Sequence, residues 1–233
     1  MITFNFGGKN SFEDYGIYVS TRPSIPSPKR RISNVSIPGR SSNLRFDDNT
    51  YEDITIKVEC SIKGEILLDK IDEIKGWLLG IGESELIFSF QNNKKYIAQV
   101  VNSIDFSQVF KYFSKFIIIF NCQPFKYSVD NEIITISNTK KIINPGSVYS
   151  EPILKVFASG NINLEINEEI IKLEDIKEHI IIDGIQQNCY DDNLENTNYK
   201  MSGEFPKLNI GENNITWSGN VSKMEVIPNW RWL

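Results

Sequence analysis

Gly211-Glu212-Asn213-Asn214-Ile215-Thr216-Trp217-Ser218-Gly219, continued by Ser222-Lys223-Met224-Glu225-Val226-Ile227 and closed by Pro228-Asn229-Trp230-Arg231-Trp232-Leu233, is the stretch that decides the fold. Ile215 and Trp217 fall on one side of an alternating pattern bounded by glycines, the period of a half-buried strand. A second alternating run follows and stops at Pro228, which has no amide to donate and lets the chain change direction. What comes next is not a polar tail. Trp230, Trp232 and Leu233 share one side of an extended segment, with Arg231 on the other. Tryptophan buries a large apolar area, so this end is expected to dock, at the N-terminal domain or at the junction of two domains.

Working outward, the same period of two recurs along the chain. Ile2 to Phe6, Ile17 to Ser20, Tyr51 to Cys60, Glu85 to Phe90, Tyr96 to Ser103 and Phe113 to Cys122 read as strands in a first series. Ile133 to Ile136, Pro152 to Phe157, Asn161 to Ile166, Glu169 to Leu173 and His179 to Asp183 lead a second series that ends in the closing stretch. Short strands at intervals of about eight to twelve residues, divided by Asn/Gly turns, indicate antiparallel sandwiches. One helix interrupts them. Leu68, Ile71, Ile74, Trp77 and Leu78 make a single apolar stripe over 67–79, with Gly80 as its cap. The fold class is therefore mainly β, in two domains: 1–130, carrying the helix and completed by 226–233, and 131–225.

Composition narrows the function. The 233 residues carry a net charge of −5, with 40% apolar and 12% aromatic residues. An acidic balance argues against general nucleic-acid binding, which needs a basic footprint. The longest apolar run, Phe116 to Phe120, is one buried strand rather than a membrane span. Met1 to Phe6 lacks the charged start and long apolar core of a secretory signal, so synthesis in a cytoplasm is expected. Cys60, Cys122 and Cys189 are widely spaced and read as reduced core residues rather than metal ligands. No metal and no cofactor is expected.

The charge is unevenly distributed. Residues 1–46 hold seven bases against two acids, and residues 165–195 hold ten acids against two bases. The acidic stretch reads as a solvated face. The basic one contains Pro23, Pro26 and Pro28 between Thr21 and Arg31, which rules out a central strand and leaves an extended arm or loop. Ile37-Pro38-Gly39-Arg40 turns. Prolines reduce the entropy lost on docking, and arginines form bidentate pairs with acids across a contact. Arg22, Pro23, Arg30, Arg31, Pro38, Gly39 and Arg40 are the candidate interface residues, and Trp230, Arg231, Trp232 and Leu233 the candidate domain-docking ones.

Phe4-x-Phe6, Tyr15-Gly16-Ile17, Arg22-Pro23 and Ile37-Pro38-Gly39-Arg40 together resemble the N-terminal half of siphophage distal tail proteins. Glu151-Pro152-Ile153-Leu154-Lys155-Val156, Ile182-Asp183-Gly184, Asn188-Cys189-Tyr190, Ser202-Gly203-Glu204-Phe205-Pro206-x-Leu208 and Gly211-x-Asn213-x-Ile215-x-Trp217-x-Gly219 are similar to its second half. The ordered set spans the whole chain. The resemblance implies a structural protein of the tail tip. Its first domain, a sandwich with a helix and a protruding hairpin, would form a homo-hexameric ring continuing the tail tube, and its second would be a galectin-like sandwich. The implied partners are the major tail protein, the tail-associated hub, the tape-measure end and receptor-binding proteins. Its implied location is the virion tail tip. Membrane insertion and recognition of nucleic-acid sequence are not expected.

Two other classes compete. A galectin-like sandwich suggests a carbohydrate-binding module contacting the host surface, but alternation turns Trp217 inward and no His-x-Asn-x-Arg set exists. Enzyme readings have less support still. His179 is the single histidine and sits in a strand, and no nucleophile-elbow, zincin or phosphate-loop pattern occurs. No catalytic residue is nominated.

Overall fold

The computed structural model describes residues 1–63, 68–110, 113–138 and 140–233. Strand dominates it, as the alternation implies, and the chain divides into two compact units, Met1–Val129 with Leu233 and Asp130–Trp232.

The first unit contains β1 (Phe4–Phe6), β2 (Lys9–Asn10), β3 (Ile17–Val19), β4 (Arg30–Val35), β5 (Leu44–Tyr51), β6 (Ile54–Lys63), α1 (Leu68–Gly80), β7 (Ser84–Phe88), β8 (Lys94–Val100), β9 (Ser107–Phe110) and β10 (Phe113–Ser128). Its main sheet is antiparallel, in the order β2-β1-β7-β8-β10-β6-β3, with β9 beside β10. The two ends of that order meet: Ile2, just ahead of β1, bridges Val19 of β3, whose amide donates to the Ile2 carbonyl at 2.9 Å. The expected sandwich is thus a sheet curled until its edges join, which removes exposed edges from the core.

Inside lie Phe4, Phe6, Ile17, Ile56, Val58, Phe88, Tyr96, Ile118 and Phe120, all buried. The helix covers this core with Ile74, Trp77 and Leu78. Trp77 stacks on Tyr15 at 4.4 Å and donates its Nε1 hydrogen to the Phe6 carbonyl at 3.0 Å, satisfying its one polar atom. Leu67, the expected first residue of the helix, lies outside the described residues. The expected strand Tyr51 to Cys60 is two strands: Tyr51 ends β5 and β6 starts at Ile54.

The second unit holds β11 (Ile134–Ile136), β12 (Lys140–Asn144), β13 (Ile153–Ile166), β14 (Glu169–Ile176), β15 (His179–Asp183), β16 (Asn188–Tyr190), β17 (Met201–Ser202), β18 (Gly211–Ile227) and β19 (Arg231–Trp232). Two long strands organise it. Over Ile153 to Phe157, β13 pairs with β15 and with the end of β18; over Asn163 to Ile166 it pairs with β14 and with the start of β18. Register shifts between Phe157 and Asn163 mark the bend between these halves. Strands that change sheets at a bulge form the corners of a packed two-layer β structure. Leu154, Val156, Leu164, Ile215, Met224 and Val226 lie buried between its layers.

The closing motif has a physical reason at each position. Gly211 and Gly219 have φ of +82° and +104°, a region L side chains rarely adopt. Asn213 is fully buried; its amide donates to the carbonyls of Asn209 (2.8 Å) and Gly211 (2.9 Å) and accepts from Asn167 (2.6 Å). Ile215 is buried and Trp217 packs half-buried against the same core.

Candidate functional site

β4 and β5 pair only with each other, forming a two-stranded sheet apart from both cores. A lone hairpin is marginal in water, so its sequence has to supply the ties. Ile37-Pro38-Gly39-Arg40 closes near the tip, with Gly39 at φ +81° and the Arg40 amide donating to the Ile37 carbonyl at 3.1 Å. Pro38 and Gly39 are both exposed. At the base, β5 carries an irregularity around Asn49, whose φ is +55°. Arg30 clamps it: Nε lies 2.7 Å from Asp47, NH2 donates to Asn49 Oδ1 at 2.6 Å, and the guanidinium stands over the Tyr51 ring. The Asn49 amide and, secondarily, Arg30 hold the Asp47 carboxyl below its ordinary range. Tyr51 packs edge-on against Phe125 of β10 at 5.7 Å, anchoring the hairpin to its own domain.

The segment leading to the hairpin is fastened rather than free. Pro23 is buried, Ile25 packs against the first core, and the Arg22 guanidinium lies 4.4 Å from the Phe90 ring centre. Of the nominated arginines, Arg22 and Arg30 therefore have partners within the chain. The side chains of Arg31, Arg40 and Arg45 are exposed and have no hydrogen bond or ion pair among the described residues.

Apolar residues accompany these cations. The register pairs Ser33 with Phe46 and Val35 with Leu44, so these four share one face of the hairpin, and alternation adds Arg31. On that face Val35 is 47% and Phe46 53% exposed. An exposed apolar and cationic stripe on a small sheet with two open edges has the composition of a contact surface.

The C-terminal candidates are arranged differently from the sequence expectation. Arg231, read as the outward residue, is the buried one at 6% exposure, while Trp230 and Trp232 are half-buried and Leu233 is 38% exposed. Within the second unit, Arg231 Nε donates to the Tyr149 carbonyl at 2.7 Å, NH1 pairs with Glu151 at 2.7 Å, and the guanidinium lies 4.5 Å from the Tyr149 ring centre. Trp232 Nε1 donates to the Pro145 carbonyl at 3.2 Å, and Asn229 binds Asn131 and the Glu151 carbonyl. Only Leu233 groups with the first unit in the division of the chain.

Residues with reactive side chains serve as structure. Cys60, Cys122 and Cys189 are buried free thiols, and burial pushes Cys122 up to about 12 and Cys189 to about 11. His179 Nε2 lies 3.1 Å from Asp192 Oδ2, and Lys155 reaches the other oxygen of that carboxylate at 2.6 Å. Among the described residues no group of His, Cys, Asp or Glu is arranged to hold a metal ion, and no helix is long and apolar enough to cross a membrane.

Residues 11–122 match the model of the phage tail protein RIFT-related domain, a span that ends within β10. No curated protein matches the chain by sequence. Among solved structures, the chain is similar over its full length to the full length of the Dit (gp 19.1) protein of phage SPP1, at a TM-score of 0.79 and 13% identity. That protein is described as a paradigm of the hub adsorption apparatus in phages infecting Gram-positive hosts. At this identity the likeness is one of fold.

Proposed function

We propose, for a chain that these findings support as a siphophage distal tail protein, the role of ring subunit at the tail tip. A structural place in a phage tail rests on the matched domain; the ring, its hexameric order and its neighbours are our reading. In that reading six copies form a ring that continues the tail tube and joins it to the hub, with the major tail protein and tail-associated hub protein on its two faces. The second domain, read as galectin-like, stands as ground for receptor-binding proteins.

The observation that carries the proposal is the hairpin. Its Arg31, Arg40 and Arg45 side chains have no partner among the described residues, and Arg31 shares a face with the exposed Val35 and Phe46. Solvated charges alone would not need an apolar companion face, nor a base clamped by Arg30. A closed ring needs such a projecting, heterologous surface, different from the one it meets. Saccharide binding is less favoured, because Trp217 packs against the second core rather than standing free for a sugar ring.

Light scattering at rising protein concentration, with negative-stain imaging, tests the proposal. Hexamers or smaller intermediates that grow with concentration are expected. The double charge reversal Arg31→Glu with Arg40→Glu should suppress them while leaving each monomer folded, since charges at contacts set register and partner choice. A strict monomer at every concentration that is also missing from assembled tails would overturn the ring.

A further inference from the structure

The second unit carries a cleft of about 440 Å³ between the start of β15, the loop that follows β16 and the short turn Asn198–Lys200. Its walls are fixed from within the chain. Asp191 Oδ1 accepts from the amides of Asn193 (2.9 Å) and Glu195 (3.0 Å), and the Leu194 amide donates to the Asp191 carbonyl at 3.0 Å. Beyond the loop, the Thr197 amide donates to the Cys189 carbonyl at 2.7 Å, and Lys200 Nζ donates to the Asp175 carbonyl at 2.7 Å. A cleft so held needs little ordering when it is filled. What these ties leave over is polar and of both kinds. The side chains of Lys177, Glu178, Asn193 and Glu195 line the cleft, are exposed and have no partner among the described residues. Thr197 Oγ1 is shut from water without a hydrogen-bond partner, a state rare among buried hydroxyls. At the rim the Tyr199 ring is 78% exposed, with the Lys200 ammonium 6.0 Å from its centre.

We infer that this cleft binds a neutral saccharide unit through its hydroxyls, with Tyr199 as the ring on which the sugar stacks. The charges decide the class. Glu178, Asp191, Asp192 and Glu195 line the cleft against Lys177 and Lys200, so an anion is repelled. A cation gains little: Asp191 is occupied by amides and Asp192 by Lys155 and His179, and the two remaining carboxylates are matched in number by the two lysines. A sugar hydroxyl donates once and accepts twice, so it satisfies Asn193, Glu195 and Thr197 alike. The exposed aromatic ring supplies the apolar area that polar groups alone lack. Trp217 has no part in this cleft; it packs against the core and lies where β18 pairs with β13. The site stands on the second unit alone and does not depend on the ring. Where copies assemble, repeated weak sites bind a glycan-bearing surface jointly.

The test is fluorine NMR of the full chain carrying fluorotyrosine at its nine tyrosines. Tyr199→Phe and Tyr190→Phe identify the two resonances that report on the cleft. Methyl glycosides of glucose, galactose and N-acetylglucosamine are the probes, each raised to about 50 mM, well above a millimolar Kd. Inorganic phosphate and tetramethylammonium are the charged comparisons. At least one glycoside should shift both resonances saturably and leave the first-domain tyrosines in place. Glu195→Ala and Asn193→Ala, whose side chains hold nothing in the described fold, should each weaken that response about tenfold. No response to any glycoside would overturn the inference, and so would a response that fails to saturate or survives both substitutions. A response to phosphate or to tetramethylammonium alone would make the cleft an anion or an amine site and refute the neutral class. Ring assembly is read separately by light scattering, so neither result decides the other.

Discussion

Replacing Arg231 should destabilise the second domain more than any other single change near the chain end. Its guanidinium is buried and makes two charge-assisted contacts, to the Tyr149 carbonyl and to Glu151, each at 2.7 Å. Hydrogen bonds to charged groups contribute about 1.5 to 3 kcal/mol each, and breaking a buried pair by removing one partner costs about 3 to 5 kcal/mol. Glu151 retains 23% side-chain exposure, so water recovers part of its loss, which places Arg231→Ala near the lower bound, at about 3 kcal/mol. For a domain of this size, that corresponds to a fall of at least about 10 °C in its melting transition. Differential scanning calorimetry is the appropriate assay, because a two-domain chain need not melt in one step. Glu151→Gln should cost a similar amount, since it strands the buried cation. Arg231→Lys should lie between, keeping the charge but losing the fork that reaches both acceptors. If Arg231→Ala and Glu151→Gln each moved every transition by less than about 2 °C, the guanidinium would be solvated and its burial without consequence.

Two further outcomes follow from local geometry. At Gly219 an added Cβ would lie 2.6 Å from the Asn161 carbonyl oxygen at φ +104°, so Gly219→Ala should lower second-domain stability by at least about 2 kcal/mol in denaturant titration; Gly39→Ala, with φ positive but open space around it, should cost about 1. Thiol reagents at pH 8 should label none of the three cysteines on the timescale of exposed thiols, because burial raises each pKa and keeps the nucleophilic thiolate scarce; rapid labelling of the native protein would contradict their placement in the cores.

What the sequence disclosed depended on how local the physics was. Alternation located most strands, and the Pro38-Gly39 pair located the tip of the hairpin, because both signals act within a few residues. Glu52 and Asp53 form no glycine or proline turn, so the odd step that breaks the alternation there goes unmarked. Tyr51 and Ile54 therefore read as one strand, although the first ends the hairpin and the second begins a core strand. The bridge from Ile2 to Val19 that joins the first sheet's edges has no sequence signature at all. At the chain end, alternation separated Arg231 from its tryptophan neighbours, but choosing the buried side needed Tyr149 and Glu151, some eighty residues upstream. Two tryptophans outweighed one arginine in the sequence; one guanidinium with fitted acceptors outweighed them in the fold.

The same distinction sorts the charges. Composition shows a basic first segment and an acidic later one, and both look like surface. In the acidic stretch, several members have internal work. Asp183 is buried and accepts from the amides of Ile185 and Gln186, Asp191 accepts from those of Asn193 and Glu195, and Asp192 is held low by Lys155 and His179. In the basic stretch, Arg22 and Arg30 are occupied in the same way, by a ring and by a carboxylate. Among the described residues Arg31, Arg40 and Arg45 are not, and they lie on a hairpin that also leaves apolar side chains exposed. Exposed arginines are common and need no explanation, and scattered exposed apolar residues need none either. Their coincidence on one small sheet, whose base is clamped and whose edges are open, is the ground on which a contact surface is proposed rather than a solvated one.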